Sequence, residues 1–184
     1  MQEHPIVELY NAIDDSEQYN TIETLLASVN IDQVVLLTLS AVGISQQIML
    51  TLLITDDAGI REMNTQYRQQ DKPTDVLSFP LLETPLVNAP ADQLWHIEHD
   101  AQKQATPDFI TPPAMITNLG DIVMSWPTLV RQAAEVGHST LYELLYLLSH
   151  GVLHLVGYDD HTEAGYQAMV SIQEAVLRAI GQRT

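Results

Sequence analysis

Residues 150–161 read His-Gly-Val-Leu-His-Leu-Val-Gly-Tyr-Asp-Asp-His, and an almost continuous apolar segment leads into them. The length and apolar content of that segment predict a helix from Thr140 to about Val156, and a helix that is apolar nearly all round is buried. Thr140 and Glu143 match a capping box at its start. The sequence therefore predicts a buried helix that carries a His-x-x-x-His motif at its carboxyl end.

The two histidines of this motif are spaced for joint binding of a metal ion. Side chains four residues apart on a helix lie on one face, one turn apart, so the imidazoles of His150 and His154 can reach one cation. Gly157 can turn the chain back through a left-handed conformation. His161 then returns from the following loop and can supply a third ligand.

A pair of histidines at this spacing is weak evidence for a metal site on its own, because such pairs also arise by chance. His150 could instead be a core histidine whose ring bonds to a backbone carbonyl. A third histidine just beyond a glycine favours the metal interpretation. The chain contains no cysteine, so histidine and carboxylate must hold any transition metal. Three imidazoles with an open fourth position are typical of catalytic zinc. Gly151 stands where zinc peptidases of the His-Glu-x-x-His type carry their general base.

The remainder of the chain mixes strands and helices without strict alternation, which is typical of an α+β fold with a small mixed sheet covered by helices. Apolar runs and turn signals predict strands at Ile6–Leu9, Gln47–Thr55, Asp75–Phe79 and Leu119–Ser125. The Gln47–Thr55 strand is expected to be buried on both faces. Apolar periodicity and capping residues predict further helices at Ile31–Val42, around Ile60–Tyr67, between Ser125 and Gly137, and after Thr162.

Residues 81–118 are rich in proline and lack clear periodicity, which in a segment of this length indicates a functional or flexible connection. One helix is conceivable at Leu94–Gln104. His96 and His99 lie in this segment, and we expect both to be solvent-exposed rather than to bind a ligand. The segment is expected to shield a cleft or to dock a partner.

Three of the seven lysines and arginines of the chain, namely Arg61, Arg68 and Lys72, fall within twelve residues. A guanidinium can bind phosphate with two parallel hydrogen bonds, and lysine adds a point charge. The alternative is a solvated helix end with cations near its carboxyl terminus. Asp121 lies in a predicted strand, where it could orient a histidine ligand or bond to the backbone.

The net charge is −17, and such a chain repels polyanions, which by itself argues against nucleic acid as a partner. The start of the chain has no basic segment followed by an apolar one, so no signal peptide is expected. The longest apolar stretch, Val34–Ile44, is shorter than a membrane span. We therefore expect a cytoplasmic protein without a membrane partner.

Three separate motifs together resemble the YbeY family of bacterial metal-dependent endoribonucleases, and they occur in that family's order. They are the HGVLHLVGYD segment at 150–159, the segment from Asn64 to Pro80 and the LGDI segment at 119–122. The resemblance extends over about residues 50–180, interrupted by 81–118. It implies an α+β fold, here a single domain of residues 1–184 with the proline-rich segment at about 81–118 as an insertion.

The resemblance also implies the site residues. His150 and His154 match the first two ligands of a three-histidine zinc site that holds one ion per chain, and Arg68 matches an arginine that contacts substrate or serves catalysis. The family's third histidine stands ten residues after the first, whereas His161 stands eleven after it. We expect His161 to be the third ligand, with Asp159 or Asp160 as the alternatives.

The implied activity is cleavage of single-stranded RNA in the maturation of the 3′ end of small-subunit ribosomal RNA and in ribosome quality control. Expected partners are ribosomal RNA and the small subunit, whose basic proteins suit the acidic chain, with weak intrinsic affinity for RNA and no organic cofactor. The nucleophile is either a water molecule or the ribose 2′-hydroxyl. Two alternatives remain, namely a non-catalytic ribosome-assembly factor with a structural zinc and a hydrolase like the zinc metallopeptidases.

Overall fold

The computed structural model describes residues 4–96 and 115–182, which contain four strands and six helices. The strands are β1 (Ile6–Asn11), β2 (Ile48–Thr55), β3 (Val76–Pro80) and β4 (Thr117–Ser125). The helices are α1 (Ser16–Ala27), α2 (Ile31–Ala41), α3 (Asp57–Arg68), α4 (Trp126–Val136), α5 (Thr140–Val156) and α6 (Glu163–Ala179). The α+β class with a small mixed sheet is therefore confirmed.

The four strands form one sheet in the order β1-β2-β4-β3. β1 and β4 both run parallel to β2, and β3 runs antiparallel to β4. β3 is thus an edge strand. In its pairing with β4, Ser78 lies opposite Ile122. This edge lies beside the carboxyl-terminal half of α5.

The central strand β2 is buried on one face and only partly covered on the other. Ile48, Leu50, Leu52 and Ile54 are at most 1% exposed and belong to the main core with α2, α5 and α6. The residues between them, such as Leu53, are partly exposed, so the prediction of a strand buried on both faces is wrong. The reason is that α3 covers only part of the second face, where Ile60 forms a smaller core.

Helix α5 is the buried helix that the sequence predicts, with twelve buried residues among its seventeen. Its amino-terminal cap is Ser139, whose hydroxyl oxygen accepts a hydrogen bond from the backbone N–H of Tyr142. The capping residue is therefore Ser139 rather than Thr140, and the predicted capping box is not formed, because Tyr142 stands three residues after the cap. Gly151 faces β4, where an added Cβ would lie 2.8–3.0 Å from three side-chain atoms of Ile122.

Two other helices begin where the sequence predicts, but only one of them has the capping hydrogen bond expected there. α6 begins after Thr162, whose side chain accepts from the backbone of Gly165, as the sequence predicts. Tyr166, in the first turn of α6, is 50% exposed. α4 follows Ser125, but the Ser125 hydroxyl makes no cap hydrogen bond and binds the Asp57 carboxylate at 2.6 Å.

The helix predicted at Leu94–Gln104 does not include Leu94, which forms an antiparallel bridge with Tyr158. Residues 97–104 and His99 lie outside the described residues, and His96 is exposed as predicted. β4 already begins at Thr117, so the last two residues of the predicted 81–118 segment belong to the sheet. None of the helices in 4–96 and 115–182 is by itself long and apolar enough to cross a membrane, whereas α1 and α2, bent by 56° at their junction, reach that length and apolar content together.

Gly120 occupies a position in β4 that tolerates no side chain. Its φ is +117°, and an added Cβ would lie 2.1 Å from the carbonyl oxygen of Phe79 in β3. We expect Gly120→Ala to lower the free energy of unfolding by about 3 kcal/mol or more, because backbone strain and a backbone clash add together. Gly137→Ala is the matched control, since φ is +77° there but the space is open. Gly137→Ala should lower the free energy of unfolding, measured with urea, by only about 1–2 kcal/mol. Equal losses in the two variants would show that the contact with Phe79 does not matter.

Asp57 joins the start of α3 to the start of α4. Its carboxylate accepts hydrogen bonds from Ser125, Thr128 and Arg131 at 2.6–2.9 Å. Burial alone raises the pKa of Asp57, but these hydrogen bonds and the charge of Arg131 outweigh it, so that the pKa is lowered overall.

We expect Asp57→Asn to be destabilising by about 1–2 kcal/mol at pH 7, towards the low end of the range for hydrogen bonds to a charged group, because solvent partly screens the half-buried carboxylate. Because the folded pKa is below the unfolded value, the stabilisation is complete above the unfolded pKa of about 3.9 and is lost as the pH falls through the folded pKa. Urea unfolding of the wild-type chain and of Asp57→Asn between pH 3 and pH 7 measures how this difference in stability depends on pH. Asp32→Asn, at an exposed position in the first turn of α2, is the control. A penalty for Asp57→Asn that does not shrink in acid would refute the assignment.

Candidate metal centre and its cleft

The two histidines of α5 meet as their spacing predicts. Their Nε2 atoms lie 3.0 Å apart, and the two rings are nearly perpendicular, with centroids 4.5 Å apart. Each imidazole side chain is 22% exposed and lines an open cleft at the end of the helix. The helix thus presents two nitrogen ligands to the cleft from a buried backbone.

The ring of His154 is oriented by the chain that follows the helix. Its Nδ1 lies 2.9 Å from the carbonyl oxygen of Tyr158, to which only an Nδ1–H can donate. Nε2 then carries the free lone pair, which points towards His150. In addition, the indole Nε1 of Trp95 donates to the carbonyl oxygen of His154 at 2.9 Å and fixes the last turn of the helix.

His154 is neutral at physiological pH, as a metal ligand must be. Burial is the largest cause, and together with neighbouring His150 it lowers the pKa of His154 to about 4. The carboxylates of Asp160 and Asp159 and the bond to Tyr158 act in the opposite direction without restoring the ordinary value. No proton therefore has to leave Nε2 before an ion binds.

A carboxylate completes this arrangement. The Oδ atoms of Asp160 lie 3.9 Å from Nε2 of His150 and 3.8 Å from Nε2 of His154. His150, His154 and Asp160 thus form a group of three ligand atoms within 4.8 Å of one another. Asp160 is the tenth residue after His150, the spacing at which the resemblance to the YbeY family leads one to expect the third ligand.

His161 occupies a neighbouring position. Its Nδ1 contacts the carboxylate of Asp159 and lies 3.9 Å from Asp160, and its side chain is 85% exposed. Asp159, Asp160 and His161 form a second candidate group that shares Asp160 with the first. The geometry therefore favours Asp160 as the third ligand, and ligation by His161 stays a prediction.

The loop that holds these residues is fixed by the proline-rich segment. Gly157 has φ +129°, and its carbonyl oxygen accepts from the backbone N–H of Trp95 at 2.9 Å. The N–H of Asp159 donates to the carbonyl of Gln93 at 2.9 Å. The described part of the segment thus braces the metal loop rather than standing apart from it.

The residues present fit a metal such as zinc. Two ligands at about 2.0–2.1 Å from a tetrahedral ion lie about 3.3 Å apart, close to the observed separation of the imidazole nitrogens. The donor set of two imidazoles and one carboxylate is that of zinc sites with one coordination position left for water or substrate. Magnesium and calcium instead prefer sets made of oxygen alone.

The cleft around this group has a volume of about 700 Å³ and includes the side chain of Arg68. Arg68 is the last residue of α3 and is exposed, and its guanidinium makes no hydrogen bond or ion pair with the residues that the structure describes. Arg61, by contrast, forms a two-pronged ion pair with Asp71 at 2.7 and 3.1 Å. Of the three clustered cations, Arg68 is therefore the one that lines the cleft with a free guanidinium.

The interpretation of Asp121 as a residue that orients a histidine ligand does not hold, and Gly151 has a packing role. Asp121 is exposed on the α3 side of the sheet, where it lines a groove with Tyr10 and Met63, and it does not reach the histidines. Gly151 contacts Ile122 closely and so serves the packing of α5 on β4. A glutamate in its place, as in the peptidase motif, would collide with β4.

Sequence reasoning missed two residues of this region. Trp95 lies in the proline-rich segment, and no local pattern linked it to the helix that it braces. Glu143 was noticed only as a capping residue, although it is 9% exposed and lies on the histidine face of α5. Its spacing of seven residues before His150 was the signal that could have placed it there.

Comparison with known proteins matches the chain to one family. A family model described as Endoribonuclease YbeY matches residues 12–181. Endoribonuclease YbeY of Dehalococcoides mccartyi strain BAV1 is 41% identical over 143 residues, which cover 78% of this chain and 81% of the relative. The protein of the same name from Moorella thermoacetica is 41% identical over 162 residues, 88% of this chain and 90% of the relative.

Among solved structures, the solution structure of TM1509 from Thermotoga maritima covers 94% of this chain with 20% identity and a TM-score of 0.49. The family model spans nearly the whole chain, including the histidine helix, its loop and Arg68. The chain therefore belongs to the YbeY family of endoribonucleases.

Proposed function

We propose that this chain is a zinc-dependent endoribonuclease that cuts single-stranded RNA. One observation carries the proposal: the guanidinium of Arg68, which has no partner in the described part of the chain, lines the same cleft as His150, His154 and Asp160. Cleavage of a phosphodiester is favoured by a cation at its non-bridging oxygens together with a Lewis acid at the reacting atoms, because both stabilise the charge that develops there. The names of the relatives, which are endoribonucleases, agree with this division of roles.

We assign one zinc ion to each chain. When bound, zinc in such a site supplies a Lewis acid and lowers the pKa of a coordinated water to near 7. His150, His154 and the third ligand, Asp160 or His161, would hold it. The bond from His154 Nδ1 to Tyr158 keeps the imidazole in the tautomer that this requires.

Arg68 has the second role. Its planar guanidinium can bind two oxygens of one phosphate, which orients the scissile group and stabilises the charge that develops on it in the transition state. The position of Arg68 at the end of α3 leaves the side chain exposed to an incoming strand. Arg68 is thus the catalytic residue of this proposal.

We further propose that the substrate is the 3′ region of small-subunit ribosomal RNA and that the protein serves ribosome maturation and quality control in the cytoplasm. The family resemblance supports this assignment. With a net charge of −17, the chain is expected to bind free RNA weakly and to dock on basic ribosomal proteins of the small subunit. Substrate choice would then depend on the assembled particle.

The arrangement favours catalysis over the two alternatives. A structural zinc has four protein ligands, whereas among residues 4–96 and 115–182 the group that contains both helix histidines has three. A peptidase of the His-Glu-x-x-His type needs a carboxylate at position 151, and the contact of Gly151 with Ile122 leaves no room for one. Neither alternative explains a free arginine in the cleft.

The test combines metal analysis with cleavage assays on the full chain. We expect about one zinc per chain, cleavage of single-stranded RNA that a chelator abolishes and added zinc restores, and no cleavage of peptides. A 2′,3′-cyclic phosphate on the product would identify the ribose hydroxyl as nucleophile, and its absence would favour water. RNA cleavage that persists without metal, or metal-dependent cleavage of peptides alone, would refute the proposal.

A further inference from the structure

A second cavity adjoins the metal cleft. It has a volume of about 320 Å³ and lies between α5, α6 and the beginning of β3. Its wall includes Asp75, Val76, His150 and Asp160, all of which also line the cleft. A ligand whose phosphate lies at the metal therefore has this cavity beside it.

The cavity contains a buried carboxylate that the proposed chemistry does not use. Glu143 is 9% exposed, lies two turns before His150 on the same face of α5, and makes no side-chain hydrogen bond with the described residues. Burial raises the pKa of Glu143, with Asp75 acting in the same direction and His138 opposing it. The Glu143 carboxylate keeps some contact with solvent but has lost part of its hydration, and a ligand that donates hydrogen bonds to it would compensate for that loss.

Two further side chains in the cavity offer acceptor atoms. Gln173 is 1% exposed, and its Nε2 donates to the backbone carbonyl of Tyr146 at 3.2 Å, which leaves Oε1 free to accept. Asp75 adds a second carboxylate. The rings of Tyr146 and Tyr166 also line the space. The cavity thus offers hydrogen-bond acceptors and aromatic surfaces to a flat ligand that carries N–H donors.

We infer that this cavity is a subsite for one nucleobase of the RNA strand and that it selects guanine. The inference rests on the proposed ribonuclease function. Guanine presents an N1–H and a 2-amino group side by side, which is the pattern that the Glu143 carboxylate can accept. Adenine presents a ring acceptor beside its amino group, so an ionised carboxylate pairs with it poorly. Unstacked bases of single-stranded RNA are commonly held by aromatic stacking together with such edge contacts.

The neighbouring cleft favours a nucleotide over an arginine side chain, which would also suit acceptors and aromatic rings. A ligand that fills both spaces has to bring a phosphate to Arg68 and the metal and a donor-rich ring to Glu143. A nucleotide carries both on one unit. An arginine-containing peptide carries only the second.

The test uses the zinc-loaded full chain and single-stranded RNAs that differ at one position, which holds guanosine, inosine or adenosine. End-labelled products give the rate at each phosphodiester. We expect kcat/KM beside guanosine to exceed that beside adenosine by about 10-fold or more, the usual discrimination of one two-pronged base contact. Inosine, which lacks the 2-amino group, should fall between them.

Glu143→Gln should abolish this preference while zinc content stays the same, because an amide replaces one acceptor by a donor. Glu135→Gln, at an exposed position on α4, is the matched control and should retain the preference. Thermal unfolding followed by circular dichroism checks the fold of both variants. If Glu143→Gln does not fold, the comparison of inosine with guanosine on the wild-type chain still decides the matter.

The outcomes separate this inference from the proposed function. Cleavage at equal rates beside all three bases would overturn the guanine subsite and leave the ribonuclease intact. If no RNA is cut, the proposed function fails, and calorimetric binding of guanosine and adenosine 5′-monophosphate tests the cavity alone. At least 10-fold tighter binding of the guanosine nucleotide would support the subsite. Equal binding, or tighter binding of arginine amide, would overturn it.

Discussion

His154→Ala is expected to abolish metal binding and, with it, RNA cleavage. The substitution removes one of two imidazole nitrogens that lie 3.0 Å apart and also the Nδ1 contact that ties the helix end to Tyr158. Loss of a group that merely orients a ligand already costs about 10–100-fold in metal affinity. Loss of the ligand itself should therefore raise the dissociation constant for zinc more than about 100-fold.

Metal analysis after dialysis and a zinc titration measure this effect, and His4→Ala serves as control because His4 is exposed near the start of the chain. The control should bind one zinc with unchanged affinity. Circular dichroism of the variant shows whether the helix persists. Full zinc occupancy in folded His154→Ala would refute the ligand assignment.

The same titration decides the third ligand. Asp160 lies 3.8 and 3.9 Å from the two imidazole nitrogens, whereas His161 faces solvent beside Asp159. We therefore expect Asp160→Asn to weaken zinc binding by about 10-fold or more and His161→Ala to weaken it less. The reverse order would show that the loop rearranges around the ion and that His161 is the ligand.

Arg68→Ala should reduce cleavage without loss of the metal. Removal of one preorganised group that stabilises transition-state charge typically costs about 10²–10³ in kcat, and we expect a decrease in that range. Arg68→Lys should recover only part of the rate, because an ammonium keeps the charge but cannot bind two oxygens in one plane. Steady-state kinetics with zinc-loaded protein measure both variants.

Arg61→Ala is the matched control, since it also removes one positive charge from α3. Arg61 is paired with Asp71 in a solvent-exposed ion pair, which contributes little to stability because water and salt screen it. Its removal should leave kcat within about twofold. An Arg68→Ala protein with wild-type kcat would exclude Arg68 from catalysis and would favour a non-catalytic role for the zinc.

Local sequence patterns were sufficient to predict the helix that carries the two histidines. The apolar run from Thr140 to Val156 could be placed as a buried helix because few other structures bury so many consecutive apolar residues. The spacing of four between its histidines then fixed their common face. The family resemblance assigned Arg68 to the site, and the structure places Arg68 in the same cleft as the histidines. The sequence alone could not show how close α3 lies to α5.

Local patterns failed where a residue's surroundings come from distant segments. Asp121 could either orient a histidine or bond to the backbone, and the strand alternation places it on the α3 side of the sheet, away from the histidines. The one-sided burial of β2 depended on how much of the sheet α3 covers. Neither periodicity nor composition contains this information, because both are properties of single segments.

The sequence by itself determined the chemistry that is available: two imidazoles one helical turn apart, no thiolate, and an acidic chain with few cations. Only the tertiary structure decided which groups meet. It brought Arg68 to the cleft, set Asp160 ahead of His161 beside the imidazoles, and buried Glu143 next to them. The physical reason is that side-chain type and helical spacing are local, whereas the packing of α3, α5 and α6 against one sheet depends on the whole core at once.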